Sequence, residues 1–251
     1  MEKSCADRGG LRVTTRIMHV AGAVQGGDWC EAFAVSDDLL ALSIGDVSGH
    51  GDGKHEAMSA VREAIREAAR AGLDPVQTLT AANAFLRRYD PNEYATAVFG
   101  LLCSRRRTFT FANAGHPAPL LARFDGAAYL ESPVGDLPLG VDRNLSLEVH
   151  RVDVPPASLL VLYTDGVTEH ERKPLHGAAQ LREATLFAYN FATLPTADVI
   201  GKQMFLTGPN LDDAAVLAVW SAPEPAPRFR FRAAPTVSSS YRRPSMRPHQ
   251  A

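Results

Sequence analysis

Apolar residues recur along this chain in two patterns, one typical of strands and the other of helices. Segments rich in Val, Leu and Ile at 11–24 and 31–45 are separated by Gly26-Gly27, which predicts two strands around a tight turn. Between about 54 and 71 the apolar residues recur at helical spacing. The face that they form comprises Ala57, Met58, Val61, Ile65, Ala68 and Ala69. The pattern therefore predicts a helix, which Gly72 ends.

A second helix and a series of short strands follow. Asp74-Pro75 begins that helix, because proline is tolerated in the first turn, and its inner side carries Val76, Leu79, Asn83 and Leu86. The later segments predict strands at about 94–103, 107–113, 118–124, 127–131, 145–153 and 158–164, helices at 178–190 and 196–205, and a last strand at 214–220. Because strands follow one another with helices inserted as pairs, the pattern favours an α+β layered fold over a doubly wound nucleotide-binding sheet.

Composition narrows the function classes. The 251 residues are 45% hydrophobic and 22% charged, which is ordinary for globular domains. With 26 Lys+Arg against 28 Asp+Glu, the net charge of −2 gives no electrostatic case for nucleic acid as a partner. Three cysteines without CxxC spacing indicate neither a disulfide framework nor structural zinc. No apolar segment approaches the ~20 residues of a membrane helix, so we expect a cytoplasmic protein without a membrane partner.

The C-terminal region differs from the rest in composition. From residue 221 onward proline, arginine and serine dominate, with six arginines and a single acid, Glu224. Proline recurs there too often for a helix or a central strand. We therefore predict one domain at 1–220 and a disordered basic tail at 221–251, either a solubilising extension or a docking segment for an acidic partner.

Aspartates beside glycine stand at the ends of several predicted strands. They occur in Gly26-Gly27-Asp28, Ile44-Gly45-Asp46, Thr164-Asp165-Gly166 and Leu211-Asp212-Asp213. One Asp-Gly pair alone is usually a β-turn, but several strands ending together would deliver these carboxylates to one end of a sheet. Converging carboxylates repel one another and their pKa values rise, a penalty that a bound divalent cation removes. Oxygen ligands of this kind suit Mg²⁺ or Mn²⁺ rather than zinc.

Six motifs resemble those of a known family: GGDW, IGDVSGHG, NAGHPAP, PLG, LYTDGVTEH and DDAAVL. In this order, over about residues 20–220, they are similar to the metal-dependent PPM family of serine/threonine phosphatases. Within it they resemble the bacterial SpoIIE-like branch, which is related to the eukaryotic type 2C phosphatases. The resemblance implies a β-sandwich of mainly antiparallel strands flanked by helices, with two Mn²⁺ or Mg²⁺ ions at one end.

The resemblance also implies a set of metal ligands. Asp46 matches the carboxylate that bridges both ions, and the Val47 carbonyl is an additional candidate ligand. Asp165 and Asp212, the first acid of the DD pair, match further ligands of one ion. Whether Asp212 or its neighbour Asp213 binds metal stays open.

The first and last motifs depart from the branch pattern. Asp28 in GGDW matches an acid that serves the other ion, and Glu31 stands where the branch often has a second aspartate. Glutamate keeps the carboxylate but lengthens its reach, so Glu31 is a further candidate. The final motif is usually DDxT, and here Ala215 takes the threonine position, which removes a supporting hydroxyl and not a ligand.

The chemistry implied by two ions needs no protein nucleophile. A water held between them has its pKa lowered toward ~7 and attacks phosphorus in line, while the ions neutralise charge on the phosphoryl oxygens. Asp46 and Asp165 are accordingly candidate catalytic residues. His50, beside the metal loop, is a candidate proton donor for the leaving alkoxide. For both His50 and His116 in NAGHPAP, however, a structural hydrogen-bonded histidine is the favoured interpretation.

We therefore predict a phosphatase for phosphoserine or phosphothreonine on a bacterial regulatory protein. By resemblance, the substrate is an anti-sigma-factor antagonist or a stress-signalling component, and a homodimer or a regulatory partner would control activity. The alternative is a catalytically silent or partner-activated scaffold that binds a phosphoprotein, but retention of the acids favours an enzyme. A cyclic-dinucleotide synthase is disfavoured, because Trp29-Cys30 follows GGD where those enzymes have Glu-Phe.

Overall fold

Two antiparallel sheets pack face to face in the computed structural model of this chain. The structure describes residues 5–19, 26–48, 54–130, 136–169, 174–206 and 212–223. One sheet has five strands, in the spatial order β3 (Asp28–Ala34), β4 (Leu39–Val47), β5 (Ala95–Cys103), β6 (Thr108–Ala114) and β9 (His150–Asp153). The other has six, in the order β1 (Cys5–Arg8), β2 (Leu11–Met18), β11 (Ala214–Ser221), β10 (Ser158–Tyr163), β7 (Leu120–Arg123) and β8 (Gly126–Tyr129).

Helices cover the outer face of each sheet. The five-stranded sheet carries α1 (Lys54–Arg70) and α2 (Pro75–Tyr89), and the six-stranded sheet carries α3 (Gly166–Glu169), α4 (Pro174–Asn190) and α5 (Thr196–Met204). A capping box begins α2, because Asp74 accepts the Gln77 backbone N–H at 2.9 Å and Gln77 Oε1 accepts that of Asp74 at 3.1 Å. None of the helices in the described ranges has the length and apolar character needed to cross a membrane.

Strand alternation divides the core into three apolar layers. In β10, Leu160 and Leu162 face the other sheet, whereas Leu159 and Val161 pack beneath α4 and α5. The third layer lies between the five-stranded sheet and α1 and α2. All four of these β10 side chains are at most 1% exposed, and each such burial contributes about 1.5–3 kcal/mol. The two sheets are therefore held together along their length, and their strand ends are fixed relative to one another.

The layered α+β class predicted from the sequence is confirmed, and most elements lie within a few residues of their predicted bounds. The predicted pairing of strands 11–24 and 31–45 around Gly26-Gly27 is wrong, because β2 and β3 lie in different sheets. The segment 31–45 is not a single strand either. Its polar residues 36–38 form a turn closed by the Val35 N–H on the Leu39 carbonyl at 3.0 Å, so β3 pairs with β4. Residues 20–25 lie outside the described residues.

The remaining differences concern short elements. The edge strand β1 and the single turn α3 are too short and too polar to show a period, and α4 begins at Pro174 rather than at 178. Of the strand predicted at 145–153, only His150–Asp153 forms. The last strand continues to Ser221, and residues 224–251 lie outside the described residues, so the disordered tail stays a prediction.

Candidate metal centre

The hairpin of β3 and β4 brings two of the predicted carboxylates side by side. In its antiparallel register Asp28 is directly opposite Asp46. Their neighbours Trp29 and Val47 are buried beneath the helices, and side chains alternate along a strand, so both carboxylates face the space between the sheets. Asp28 is 4% exposed, and its carboxyl group hydrogen-bonds to that of Asp46.

The six-stranded sheet supplies further acids at the same end of the sandwich. Asp165 lies just beyond the end of β10, and Asp212 and Asp213 immediately precede β11, its neighbour in the sheet. The Thr164 hydroxyl donates to Asp28 Oδ2 at 2.7 Å, which joins the two sheets at this point. The strand ends therefore bring together the acids of four separate sequence motifs.

Burial and mutual repulsion perturb these carboxyl groups. Burial, and then the charge of Asp46, raise the pKa of Asp28 well above its usual range, while the Thr164 hydrogen bond opposes the shift. Burial and the charge of Asp165 raise the pKa of Asp46 from 3.8 to about 7. Burial and the charge of Asp212 raise the pKa of Asp165. In the described part of the chain no lysine or arginine forms an ion pair with Asp28, Asp46 or Asp165.

Glycines at this end allow close approach of backbone and carboxylate. A Cβ on Gly27 would lie 2.7 Å from the Val47 carbonyl oxygen and 3.0 Å from Asp46 Oδ1. A Cβ on Gly166 would overlap the Asp213 backbone carbonyl. These distances place the Val47 carbonyl and the Asp46 carboxylate against the same glycine, and they explain why both positions are glycine.

The two aspartates before β11 have different surroundings. Asp213 Oδ1 lies 3.2 Å from His19 Nδ1, and its carboxylate packs against Gly26. Asp212 Oδ1 accepts the Asp213 backbone N–H at 2.8 Å. Because the Asp212 charge raises the pKa of Asp165, Asp212 is the member of the pair that lies towards that carboxylate.

Two other candidates do not join this cluster in the described residues. Glu31 lies on the face of β3 that packs against α1, where its carboxylate forms an ion pair with Arg66. Burial raises the Glu31 pKa and Arg66 opposes that shift, so this carboxylate has a cationic partner of its own. The structure thus removes Glu31 from the candidate ligands. His50 lies outside the described residues, and its role stays a prediction.

His116 is buried between the sheets and held by a turn. The Asn113 side chain donates to the His116 carbonyl at 2.8 Å and accepts its backbone N–H at 2.7 Å. His116 Nδ1 is 2.8 Å from Thr96 Oγ1, and Thr96 is the β5 residue opposite Asp46. Nε2 faces the Tyr163 backbone without forming a hydrogen bond of ordinary geometry. Burial lowers the His116 pKa to about 3, so the ring is neutral.

Two threonines at the site were not singled out by the sequence analysis. Thr96 adjoins Asp46 through the β4–β5 register, and Thr164 binds Asp28 directly. Of the two, only Thr164 could have been found from the sequence, since it directly precedes Asp165 within LYTDGVTEH.

The donor set fits hard divalent cations, although its side chains do not form a closed coordination shell. Among the described residues, no three His, Cys, Asp or Glu side chains are arranged as a finished metal site. The acids are oxygen donors that repel one another, with Asp28 buried, Asp46 half-buried and Asp165 and Asp212 open to solvent. A bound cation would offset that repulsion. Residues able to hold ions are Asp28, Asp46, Asp165, Asp212 and the Val47 carbonyl.

Comparisons with known proteins show the family of this chain and its fold. Residues 36–220 match the family model of stage II sporulation protein E (SpoIIE). The chain is similar to Protein IcfG of Synechocystis, at 26% identity over 77% of this chain, and it spans 36% of that protein's length.

Solved structures share the fold. The RsbU and RsbW domains of Rv1364c from Mycobacterium tuberculosis match with a TM-score of 0.75 and 31% identity, over 86% of this chain and 63% of that one. The PP2C phosphatase domain of SpoIIE from Bacillus subtilis, solved with a fragment of its regulatory domain, matches with a TM-score of 0.73 and 18% identity, over 88% of this chain and 70% of that one. RsbX in complex with magnesium matches with a TM-score of 0.67 and 17% identity, over 87% of this chain and 98% of that one.

Proposed function

This chain belongs to the SpoIIE family of PPM-type phosphatase domains, and from that premise we propose that it hydrolyses phosphoserine or phosphothreonine with the help of two Mn²⁺ or Mg²⁺ ions. One observation carries the proposal. Aspartates from both sheets, with Asp28 buried and Asp46 half-buried, meet at one end of the sandwich without a lysine or arginine ion-paired to Asp28, Asp46 or Asp165 in the described residues. Buried carboxylates of like charge are costly unless paired, so this arrangement favours cation binding.

Each acid has a role that follows from its position. Asp46 is central, because Asp28 is opposite it and the charges of Asp165, Asp212 and Asp213 all raise its pKa. We assign Asp46 to both ions, Asp28 to one, and Asp165 with Asp212 to the other. Bound ions would lower the pKa of a coordinated water toward ~7 and offset charge on phosphoryl oxygens. No protein nucleophile is then required.

The substrate that we propose is a small regulatory phosphoprotein in the cytoplasm. Solved relatives include RsbU joined to RsbW and a bacterial stressosome component, which are regulatory proteins. An anti-sigma-factor antagonist or a stress-signalling protein is therefore the substrate class to test first, and a homodimer or a regulatory partner is the proposed control. Cys30 and Cys103 are free thiols, which fits a reducing compartment.

The alternative is a scaffold that binds a phosphoprotein without turnover. A scaffold does not need several carboxylates whose pKa values are raised by burial and mutual charge, and such groups cluster at catalytic sites. That contrast favours the enzyme.

The decisive test is hydrolysis of an aryl phosphate and of a phosphoserine peptide in EDTA, Mg²⁺ and Mn²⁺, with a calorimetric Mn²⁺ titration. We expect metal-dependent turnover that EDTA abolishes. Asp46→Asn and Asp165→Asn should lose turnover and keep the fold, whereas Asp125→Asn, in the surface turn between β7 and β8, should keep both. Metal binding without turnover would indicate a partner-activated phosphatase, and neither binding nor turnover would indicate the scaffold. Retained Mn²⁺-dependent turnover in both site variants would refute the site assignment.

A further inference from the structure

The Thr164 side chain takes the place of its own backbone carbonyl in the last hydrogen-bonded residue pair between β10 and β11. Its own N–H donates to the Ala215 carbonyl at 3.1 Å, as in a regular ladder. Its carbonyl has turned away and instead accepts the Val167 N–H at 3.0 Å, which begins α3. The Thr164 hydroxyl oxygen takes the place of that carbonyl and accepts the Ala215 N–H at 2.8 Å. A side-chain hydrogen bond thus completes the Thr164–Ala215 pair. The backbone carbonyl of Thr164 is no longer needed in the sheet, so the chain can leave β10 and continue through Asp165 into α3.

The polarity of the remaining hydrogen bond follows from this pair. A backbone N–H can only donate, so the Ala215 bond uses a lone pair of the Thr164 oxygen and leaves the hydroxyl proton available. That proton is directed at Asp28 Oδ2, 2.7 Å away on β3 of the other sheet. Oδ2 is therefore an acceptor in this bond, which fixes one oxygen of the Asp28 carboxylate.

We propose that Thr164 is a positioning residue that sets the orientation of the Asp28 carboxylate across the sandwich and thereby the affinity of the centre for divalent ions. The inference rests on the proposed function and extends it to a side chain that is not itself one of the proposed ligands. Thr164 is fully buried and Asp28 is 4% exposed, so water cannot readily replace the hydroxyl. Without it, Oδ2 would lose its donor and the carboxylate could rotate.

The test compares three variants by Mn²⁺ calorimetry and by urea unfolding in EDTA. Thr164→Val keeps the shape and removes the hydroxyl, and Thr164→Ser keeps the hydroxyl. The matched control is Thr14→Val. Thr14 is also buried, and its hydroxyl oxygen accepts the Ala197 backbone N–H at 3.0 Å and lies 3.0 Å from Thr196 Oγ1. These contacts join β2 to α5, away from the acids. Removing groups that orient metal ligands typically costs about 10–100-fold in affinity. We expect that loss for Thr164→Val only, with Thr164→Ser within about threefold of wild type.

The outcomes separate this inference from the proposed function. Wild-type Mn²⁺ affinity in folded Thr164→Val would overturn the inference and leave the phosphatase proposal standing, as would an equal loss in Thr14→Val. Absence of Mn²⁺ binding by the wild-type protein would overturn both. If Thr164→Val does not fold, Thr164→Cys, of similar volume and with only a weak donor, takes its place and is held to the same loss of affinity.

Discussion

His116 is buried without charge, and replacing it with asparagine should make the protein less sensitive to acid. Asparagine retains a polar group near Thr96 Oγ1, which lies 2.8 Å from His116 Nδ1, but it has no proton to gain in the acidic range. The smaller side chain leaves a cavity, whose cost is similar at every pH. The variant is therefore compared with wild type through the change in stability between two pH values.

The magnitude follows from the difference between the two pKa values. Burial lowers the His116 pKa from 6.5 to about 3 in the folded protein. Because the folded value lies below the unfolded one, the contribution to stability is complete above pH 6.5 and is lost as the pH falls towards the folded value. Between about pH 7.5 and about pH 5, that loss is about 2 kcal/mol, at 1.36 kcal/mol per pH unit below the unfolded pKa.

The assay is urea unfolding at those two pH values in EDTA, which keeps divalent ions out of the comparison. Wild type should lose about 2 kcal/mol more stability on acidification than His116→Asn does. The control His176→Asn, at a solvent-exposed position of α4, should follow the wild-type pH dependence. If the free energies of unfolding of wild type and His116→Asn change with pH in parallel, the reasoning is refuted. That result would mean that His116 takes up a proton equally well in the folded and unfolded states.

Three further outcomes follow from the site and its supports. Asp46→Asn should stabilise the EDTA-treated protein at about pH 8 by at most about 4 kcal/mol, because the folded pKa of Asp46, about 7, lies above 3.8 and its ionisation costs stability as the pH rises. Urea unfolding checks this gain, which should vanish near pH 4. Gly27→Ala should weaken Mn²⁺ binding at least about tenfold in calorimetry, since its Cβ would meet the Val47 carbonyl; wild-type affinity would contradict this. Arg107→Ala should cost about 1–3 kcal/mol in unfolding, because Arg107 binds Ser221 Oγ at 2.8 Å, while turnover per folded molecule stays the same.

Local signals in the sequence were enough to single out the acids that the structure brings together. Asp28, Asp46 and Asp165 each stand beside a strand and a glycine, and both features are visible within a few residues. The face of α1 was likewise predicted correctly, because helical spacing is a local property: all six of its predicted residues are buried.

Relations between distant segments could not be predicted in the same way. The apolar character of 11–24 does not specify whether it pairs with the next strand or, as observed, with β11. Glu31 appeared to be a ligand until the turn at 36–38 fixed which face of β3 points to α1 and Arg66. The role of Thr164 depends on its backbone carbonyl bonding within α3 instead of to β11. The residue pattern of the sequence does not indicate that hydrogen-bond exchange.

Trp29 places an indole one residue from the acidic centre, on the face of β3 opposite to Asp28. The side chain is fully buried directly after Asp28, its indole N–H donates to Ser43 Oγ at 2.9 Å, and its ring packs against Gly45, the neighbour of Asp46. The chain has two tryptophans. The other, Trp220, makes an edge-to-face contact with Tyr189, with ring centroids 5.5 Å apart, in the apolar layer beneath α4 and α5. In a Trp220→Phe background the emission spectrum would come from a single indole, so ion occupancy could be followed by fluorescence in unlabelled protein, in real time and in the presence of substrate.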